Sequence, residues 1–262
     1  MRADLHVHTT ASDGSLSPAE VVRRAKRMGL DAIAVTDHDT VNGLDEAIRE
    51  AEKTGVKLVR GIELSTFSNC EIHILGYDFD YKNTDFVQEL RNVKDMRRNR
   101  NILIGQKLND LGIKPDIDFA ADDLGRMNIA RQLVKEGYCK DVSSAFEKYL
   151  GTGGKAYCNT KRLTPKEAVL FIKKHGGFAA VAHPKKYLND NRLEMLLSGL
   201  KPLGLDGLEV NYPGHSAKDI AQLNALCAKY RLLPTGGSDF HDEDKDFDSL
   251  LNEKTAKALG LV

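Results

Sequence analysis

ADLHVHTTASDGSLSPAEVVRRAKRMGLDAIAVTDHD, residues 3–39, reads as strand, helix and strand in succession, and that order decides the fold. Leu5 and Val7 alternate with His6 and His8, a period of two that marks a short strand with both imidazoles on one face. Asp13 follows in a turn ended by Gly14, from which its carboxylate can swing back toward them. Two imidazoles and a carboxylate make a borderline ligand set suited to zinc, manganese or iron. A polar strand end with two surface histidines stays open as the alternative from this stretch alone. Ser17-Pro18-Ala19-Glu20 is a capping box with proline at the first helical position. Val21, Val22, Ala25 and Met28 form the buried stripe of that helix and Gly29 ends it. Ala32 to Val35 is an apolar strand that delivers Thr36-Asp37-His38-Asp39.

The pattern repeats downstream. A second helix carries Leu44, Ala47, Ile48 and Ala51 and stops at Gly55; a third strand, Lys57 to Leu64, carries Glu63. Strands and helices alternating at this spacing predict an α/β fold with a parallel sheet. Glu71 to Tyr77 is a further strand with His73 inside it. Residues 81–155 differ in texture: they are polar and helical, with Gly112 and Pro115 ending one long helix. This predicts a helical subdomain inserted into a domain made of residues 1–80 and 156–262. The strand–helix alternation returns with a second capping box at Thr164-Pro165-Lys166-Glu167 and a strand from Phe178 to Ala182 that ends at His183-Pro184. Gly207 to Val210 is another strand, and Leu232 to Thr235 is the last, leading into Gly236-Gly237-Ser238-Asp239-Phe240-His241.

A chain of 262 residues holds one large domain, or one domain with an insertion. Its formal net charge is zero, so no global field draws in nucleic acid and any polyanion site must be local. Cys70, Cys139, Cys158 and Cys227 are far apart and form no CxxC pair, which argues for reduced thiols and against a thiolate zinc site. Met1 leads almost directly into the first strand and no apolar run approaches membrane-spanning length. These features predict a cytoplasmic protein that does not associate with a membrane, and no obligate protein partner is inferred.

One regularity carries the functional reading. His6, His8, His38, Glu63, His73, His183, Asp239 and His241 all sit on, or just beyond, a predicted strand. In parallel α/β barrels the strand C-termini share one mouth, where residues from several strands converge. Six of the 8 histidines fall at such positions, which predicts a multinuclear metal site. Two divalent ions about 3.5–4 Å apart can share a bridging hydroxide and clamp an in-line phosphoryl displacement.

In order along the chain, HxHTxxSDG at His6 to Gly14, TDHD at Thr36 to Asp39, GIE at Gly61 to Glu63, EIHILGY at Glu71 to Tyr77, AHP at Ala182 to Pro184 and GSDFH at Gly237 to His241 resemble the motifs of the PHP (polymerase and histidinol phosphatase) family of metal-dependent phosphoesterases. The resemblance implies a distorted seven-stranded (β/α) barrel of TIM-like type with three divalent ions at its mouth, manganese first, iron or zinc as alternatives. It places His6, His8, Glu63 and Asp239 on one ion, Glu63 with His73 and His183 on a second, and Asp13, His38 and His241 on the third.

A helical insertion after EIHILGY is similar to that of the branch containing nucleoside 3′,5′-bisphosphate phosphatases and 5′→3′ oligoribonucleases. This implies a small-molecule phosphate ester as substrate, a nucleotide or short RNA, with the insertion capping it. By that match Arg126 and Lys155 would hold phosphates; otherwise each is a solvated surface charge. Asn128 stands where the branch usually has histidine, and can donate a neutral hydrogen bond but no proton. His215 either compensates from a barrel loop or is a helix-flanking surface residue. The long helix carries Arg91, Lys94, Arg97, Arg98, Arg100 and Lys107. Arg97 and Arg100 share the side of its apolar stripe, so the cluster either tracks an RNA backbone or is a solvated basic face. A histidinol-phosphate phosphatase and a non-catalytic, metal-stabilised scaffold module are the competing functions.

Overall fold

The computed structural model describes residues 1–122, 124–242 and 251–262. Strand β1 (Ala3–Val7) is followed by helix α1 (Pro18–Arg27), where the Ser17–Glu20 capping box and Pro18 are in place. Strand β2 (Ala32–Val35), helix α2 (Leu44–Thr54, closed by Gly55 at φ 74°), strand β3 (Lys57–Phe67) and strand β4 (Glu71–Tyr77) complete the first part. Next come helices α3 (Thr84–Asp110), α4 (Arg126–Lys135) and α5 (Val142–Ala145), the last running into a π-helical turn, Phe146–Leu150. Helix α6 (Pro165–Lys174), β5 (Phe178–Val181), α7 (Asp190–Leu200), β6 (Gly207–Asn211), α8 (Ala217–Tyr230), β7 (Leu233–Gly236) and α9 (Glu253–Ala258) follow.

The strands form one seven-stranded sheet in chain order. Val7 bridges Phe240 in parallel, with His8 N–H donating to the Phe240 carbonyl at 2.9 Å, so the sheet nearly closes on itself as a barrel. The expected parallel sheet is interrupted at one strand, because β4 runs antiparallel to both β3 and β5. The reason is the length of the connection. Ser68, Asn69 and Cys70 alone join β3 to β4, with Asn69 in the left-handed region at φ 60°. Parallel neighbours need a crossover of about a dozen residues or more, so so short a link can only make a hairpin.

The chain forms two compact units: Met1–Val87 with Leu163–Val262, and Gln88–Arg162. Both boundaries fall later than the change in sequence texture, for packing reasons. Phe86, in the first turn of α3, stacks on Phe79 at 4.9 Å and lies 5.0 Å from Phe171, inside the first unit. Ala156 and Cys158 instead join Ile104, Leu108, Ile129 and Leu133 in the apolar core of the second. Within the first unit, one cluster unites Ala3, Leu5, Ala34, Leu75 and Ala180 with Leu251, Leu259 and Leu261, and another packs Val21, Val22 and Ala25 of α1 against Ile33, Val35, Leu44 and Ala47.

Candidate metal centre

Close backbone approaches bring the motif residues together. A Cβ at Gly14 would lie 2.4 Å from the His8 carbonyl oxygen, so only glycine lets the turn carry Asp13 back against β1. At Gly237 a Cβ would lie 2.3 Å from that of His6. Buried carboxylates brace the same loops. Asp37 accepts from the Thr9 N–H at 2.7 Å and from the Ser12 hydroxyl at 2.6 Å, and Asp39, at φ 54°, accepts from the Ser65 N–H at 2.9 Å.

Glu63 is the hub. Its Oε1 lies 2.8 Å from His73 Nδ1 and 3.0 Å from His183 Nε2; its Oε2 lies 3.1 Å from His8 Nε2, 3.1 Å from His38 Nδ1 and 3.3 Å from His6 Nε2. Asp239 Oδ1 stands 3.4 Å from His8 Nε2 and 3.5 Å from both His6 Nε2 and His241 Nδ1. Asp13 Oδ1 is 3.3 Å from His241 Nε2 and 3.6 Å from His8 Nδ1, and its Oδ2 is 3.9 Å from His38 Nε2. His73 arrives from the start of antiparallel β4, not from the end of a parallel strand.

The donors fall into three groups, each with its atoms within 4.8 Å of one another: His8, Asp13, His38 and His241; His6, Glu63, His183 and Asp239; His38, Glu63 and His73. The groups overlap, since His38 and Glu63 each belong to two of them. His8 joins the Asp13 group because its two ring nitrogens lie between Asp13 and Glu63, and His183 joins His6, whose ring it faces at 5.5 Å. His6 Nε2, both nitrogens of His8, Glu63 Oε2 and His183 Nδ1 are buried without a hydrogen bond. Buried polar atoms are rarely left so, and converging imidazole nitrogens and carboxylate oxygens fit a set of divalent cations.

Charge is strongly coupled here. Burial would raise the carboxyls, yet the surrounding histidines hold Asp13, Glu63 and Asp239 well below the usual range. Burial likewise opposes charge on His8 and His73, but Asp239 and Glu63 push His8 up to about 10, and Glu63 with Glu71 pushes His73 up to about 9. For His183 burial prevails and its value falls.

Several surrounding residues escaped the sequence reading. Glu209, fully buried in β6, faces His6 Nδ1 at 3.1 Å with one oxygen and accepts from the His183 N–H at 2.6 Å with the other. Asp4 accepts from the N–H groups of His6 and Ser238, and burial lifts its carboxyl to about 6. Lys186 Nζ and the Tyr212 hydroxyl approach Asp239 Oδ2 at 3.4 and 3.3 Å. The period-two rule that pairs His6 with His8 extends back to Asp4, and a lone glutamate inside an apolar strand marks Glu209.

His215 is buried, correcting the surface alternative: its Nδ1–H donates to the Val210 carbonyl at 2.9 Å and its ring lies 5.0 Å from Tyr212. Arg126, Asn128 and Lys155 belong to the second unit. Arg126 is half-buried, contacting the Leu150 carbonyl and the Phe146 ring, while Lys155 is exposed. Asn128 Oδ1 accepts from the Gly125 N–H at 2.7 Å and so caps α4. Arg97 and Arg100 are buried, not part of a solvated face; Arg97 donates to the Leu124 carbonyl and Arg100 to Asn101.

The pattern of the PHP domain matches residues 4–181. The chain is 38% identical over 245 residues to a 5′-3′ exoribonuclease of Haemophilus influenzae, covering 91% of this chain and 89% of that one. It is 32% identical over 246 residues to a 3′,5′-nucleoside bisphosphate phosphatase of Chromobacterium violaceum, covering 91% and 86%. Among solved structures, one described as an amidohydrolase from Chromobacterium violaceum with bound sulfate and no metal superposes with a TM-score of 0.89 at 29% identity, covering 99% of this chain and 97% of that one. One described as a putative metal-dependent phosphoesterase from Bifidobacterium adolescentis superposes with a TM-score of 0.83 at 28% identity, covering 98% and 94%.

Proposed function

Because this chain belongs to the PHP domain family and is a metal-dependent hydrolase of phosphoester bonds, we propose that its substrates are nucleotide phosphates: the 3′-phosphate of a nucleoside 3′,5′-bisphosphate, the 5′ end of short RNA, or both. The observation that carries the reading is the convergence of five imidazoles on the buried carboxylate of Glu63, with His6 Nε2, His8 Nε2 and Glu63 Oε2 left without a hydrogen bond. Relatives named for both activities support the substrate class.

His6, His8, Asp13, His38, Glu63, His73, His183, Asp239 and His241 would hold three ions, manganese first, iron or zinc otherwise. Bound divalent cations supply Lewis-acid neutralisation of the phosphoryl oxygens and a water acidified toward neutrality. The chain does the rest. Glu63 turns its two oxygens to different histidines and so would span neighbouring positions. Asp13, Glu63 and Asp239 stay ionised and present anionic oxygens inward. Glu209 accepts from His6 Nδ1–H and leaves Nε2 directed at the centre. Burial strengthens each of these interactions by excluding bulk water. Arg126 and Lys155 of the second unit would hold the remaining substrate phosphate, Arg126 through the paired donors of its guanidinium. The reaction belongs in the cytoplasm and needs no partner protein.

The test is metal analysis of the purified protein, paired with phosphate release from 3′-phosphoadenosine 5′-phosphate and histidinol phosphate and mononucleotide release from a short 5′-phosphorylated RNA. Release from either nucleotide substrate with manganese is expected. Turnover of histidinol phosphate alone, or metal content without any turnover, would reject the nucleotide reading.

A further inference from the structure

The turn after β5 does more than present His183. That residue has φ 23° and ψ 57°, a sparsely populated conformation for an L side chain. Pro184 then opens a single 3₁₀ turn, Pro184–Lys186, in which the Lys186 N–H donates to the His183 carbonyl at 3.0 Å. The two lysines of this turn part ways. Lys185 is committed to Asp190 and Gln222. Lys186 turns to the metal centre, its Nζ 5.6 Å from the middle of the Tyr187 ring, which itself lies 5.7 Å from the His183 ring and 5.8 Å from that of His73. Tyr212, just beyond β6, flanks His183 from a second element at 5.6 Å.

Asp239 divides its oxygens between these neighbours. Oδ1 faces His6, His8 and His241, whereas Oδ2 faces Lys186 at 3.4 Å and the Tyr212 hydroxyl at 3.3 Å. Charge-assisted N–H···O bonds measure about 2.7–2.9 Å, so the ammonium is near Asp239 without being tightly bound to it. An ammonium carries three N–H donors, and the Lys186 side chain is 41% exposed. Its flexible stem lets those donors be re-aimed at little cost. A partly exposed cation on the rim of a cluster of histidines and carboxylates is what an arriving dianion requires.

We infer that Lys186, with the Tyr212 hydroxyl beside it, is a phosphate-binding cation of the first compact unit, holding a non-reacting oxygen of a phosphomonoester dianion while Asp239 keeps it aimed. The inference deepens the phosphoesterase reading and rests on it for the substrate class.

The experiment is calorimetric titration of the manganese-loaded protein with inorganic phosphate, the reaction product, in the wild type, Lys186→Met and Lys186→Arg, with metal content measured on the same samples. The Met variant should keep its metal and bind phosphate about tenfold to a hundredfold more weakly, as expected for loss of one charge-assisted bond, and the Arg variant should recover most of the difference. On p-nitrophenyl phosphate the Met variant should raise KM more than it lowers kcat. Unchanged phosphate affinity in the Met variant, affinity that merely follows lost metal, or no phosphate binding by the wild type would each overturn the assignment. Because binding needs no turnover, a wild type that binds phosphate but hydrolyses none of the nucleotide substrates would sink the proposed function and leave Lys186 to be judged by affinity alone.

Discussion

Glu209 offers the metal centre nothing directly, yet it orients His6 through Nδ1 and pins the His183 backbone. Partners of this kind are worth about 10–100-fold in metal affinity, so Glu209→Gln should weaken manganese binding by that factor in a competitive titration while circular dichroism stays unchanged. Asn128 acts on stability instead. Its Oδ1 holds the Gly125 N–H, and Asn128→Ala should cost about 1 kcal/mol in urea unfolding. That bond also gives the departure from the branch's usual histidine a structural meaning the sequence could not supply. The motif residues themselves were legible because their type and order are chemically restrictive. Lys186 was not, since only the unusual backbone of His183 shows which of two adjacent lysines turns inward.

At the scale of elements, the βα units were legible from period, caps and glycines, and β1, α1, β2 and α2 fall where those signals put them. Strand direction was not, because alternation of apolar residues is the same for parallel and antiparallel strands, and only the brevity of the 68–70 link marked β4 as a hairpin arm. The junction after β7 is the tightest in the site. Gly237→Ala would push a Cβ into that of His6, and should destabilise the protein by about 1–3 kcal/mol and reduce bound metal, as read by thermal unfolding and metal analysis. His8, just beyond β1, and His73 in β4 also set a pH dependence. In metal-free protein His8 is raised to about 10 and His73 to about 9, above the unfolded value of about 6.5. Their contribution to stability is therefore complete below about pH 6.5 and disappears as pH rises through those values. The melting temperature of the metal-free protein should fall between pH 7 and pH 10 (both approximate). Manganese binding should instead strengthen over the same interval and release protons at about pH 8, measurable in buffers of different ionisation enthalpy.

For the whole molecule, the metal ions would be structural as well as chemical. They would replace a set of coupled buried charges by ligand bonds, so the loaded form should be the more stable. At free metal about 100 times Kd, binding adds about 2.7 kcal/mol, and each kcal/mol shifts melting by about 2–4 °C for a domain of this size. Chelation should therefore lower the melting temperature by about 5–10 °C, restored by adding manganese. The boundaries of the two units follow Phe86 and Cys158, whose allegiance is decided by packing. The closure of the sheet between Val7 and Phe240 has a consequence for biosynthesis. His6 and His8 leave the ribosome more than two hundred residues ahead of Asp239 and His241. A nascent chain thus carries an incomplete reaction centre throughout that interval, and the hydrolase can switch on only once Phe240 has met Val7.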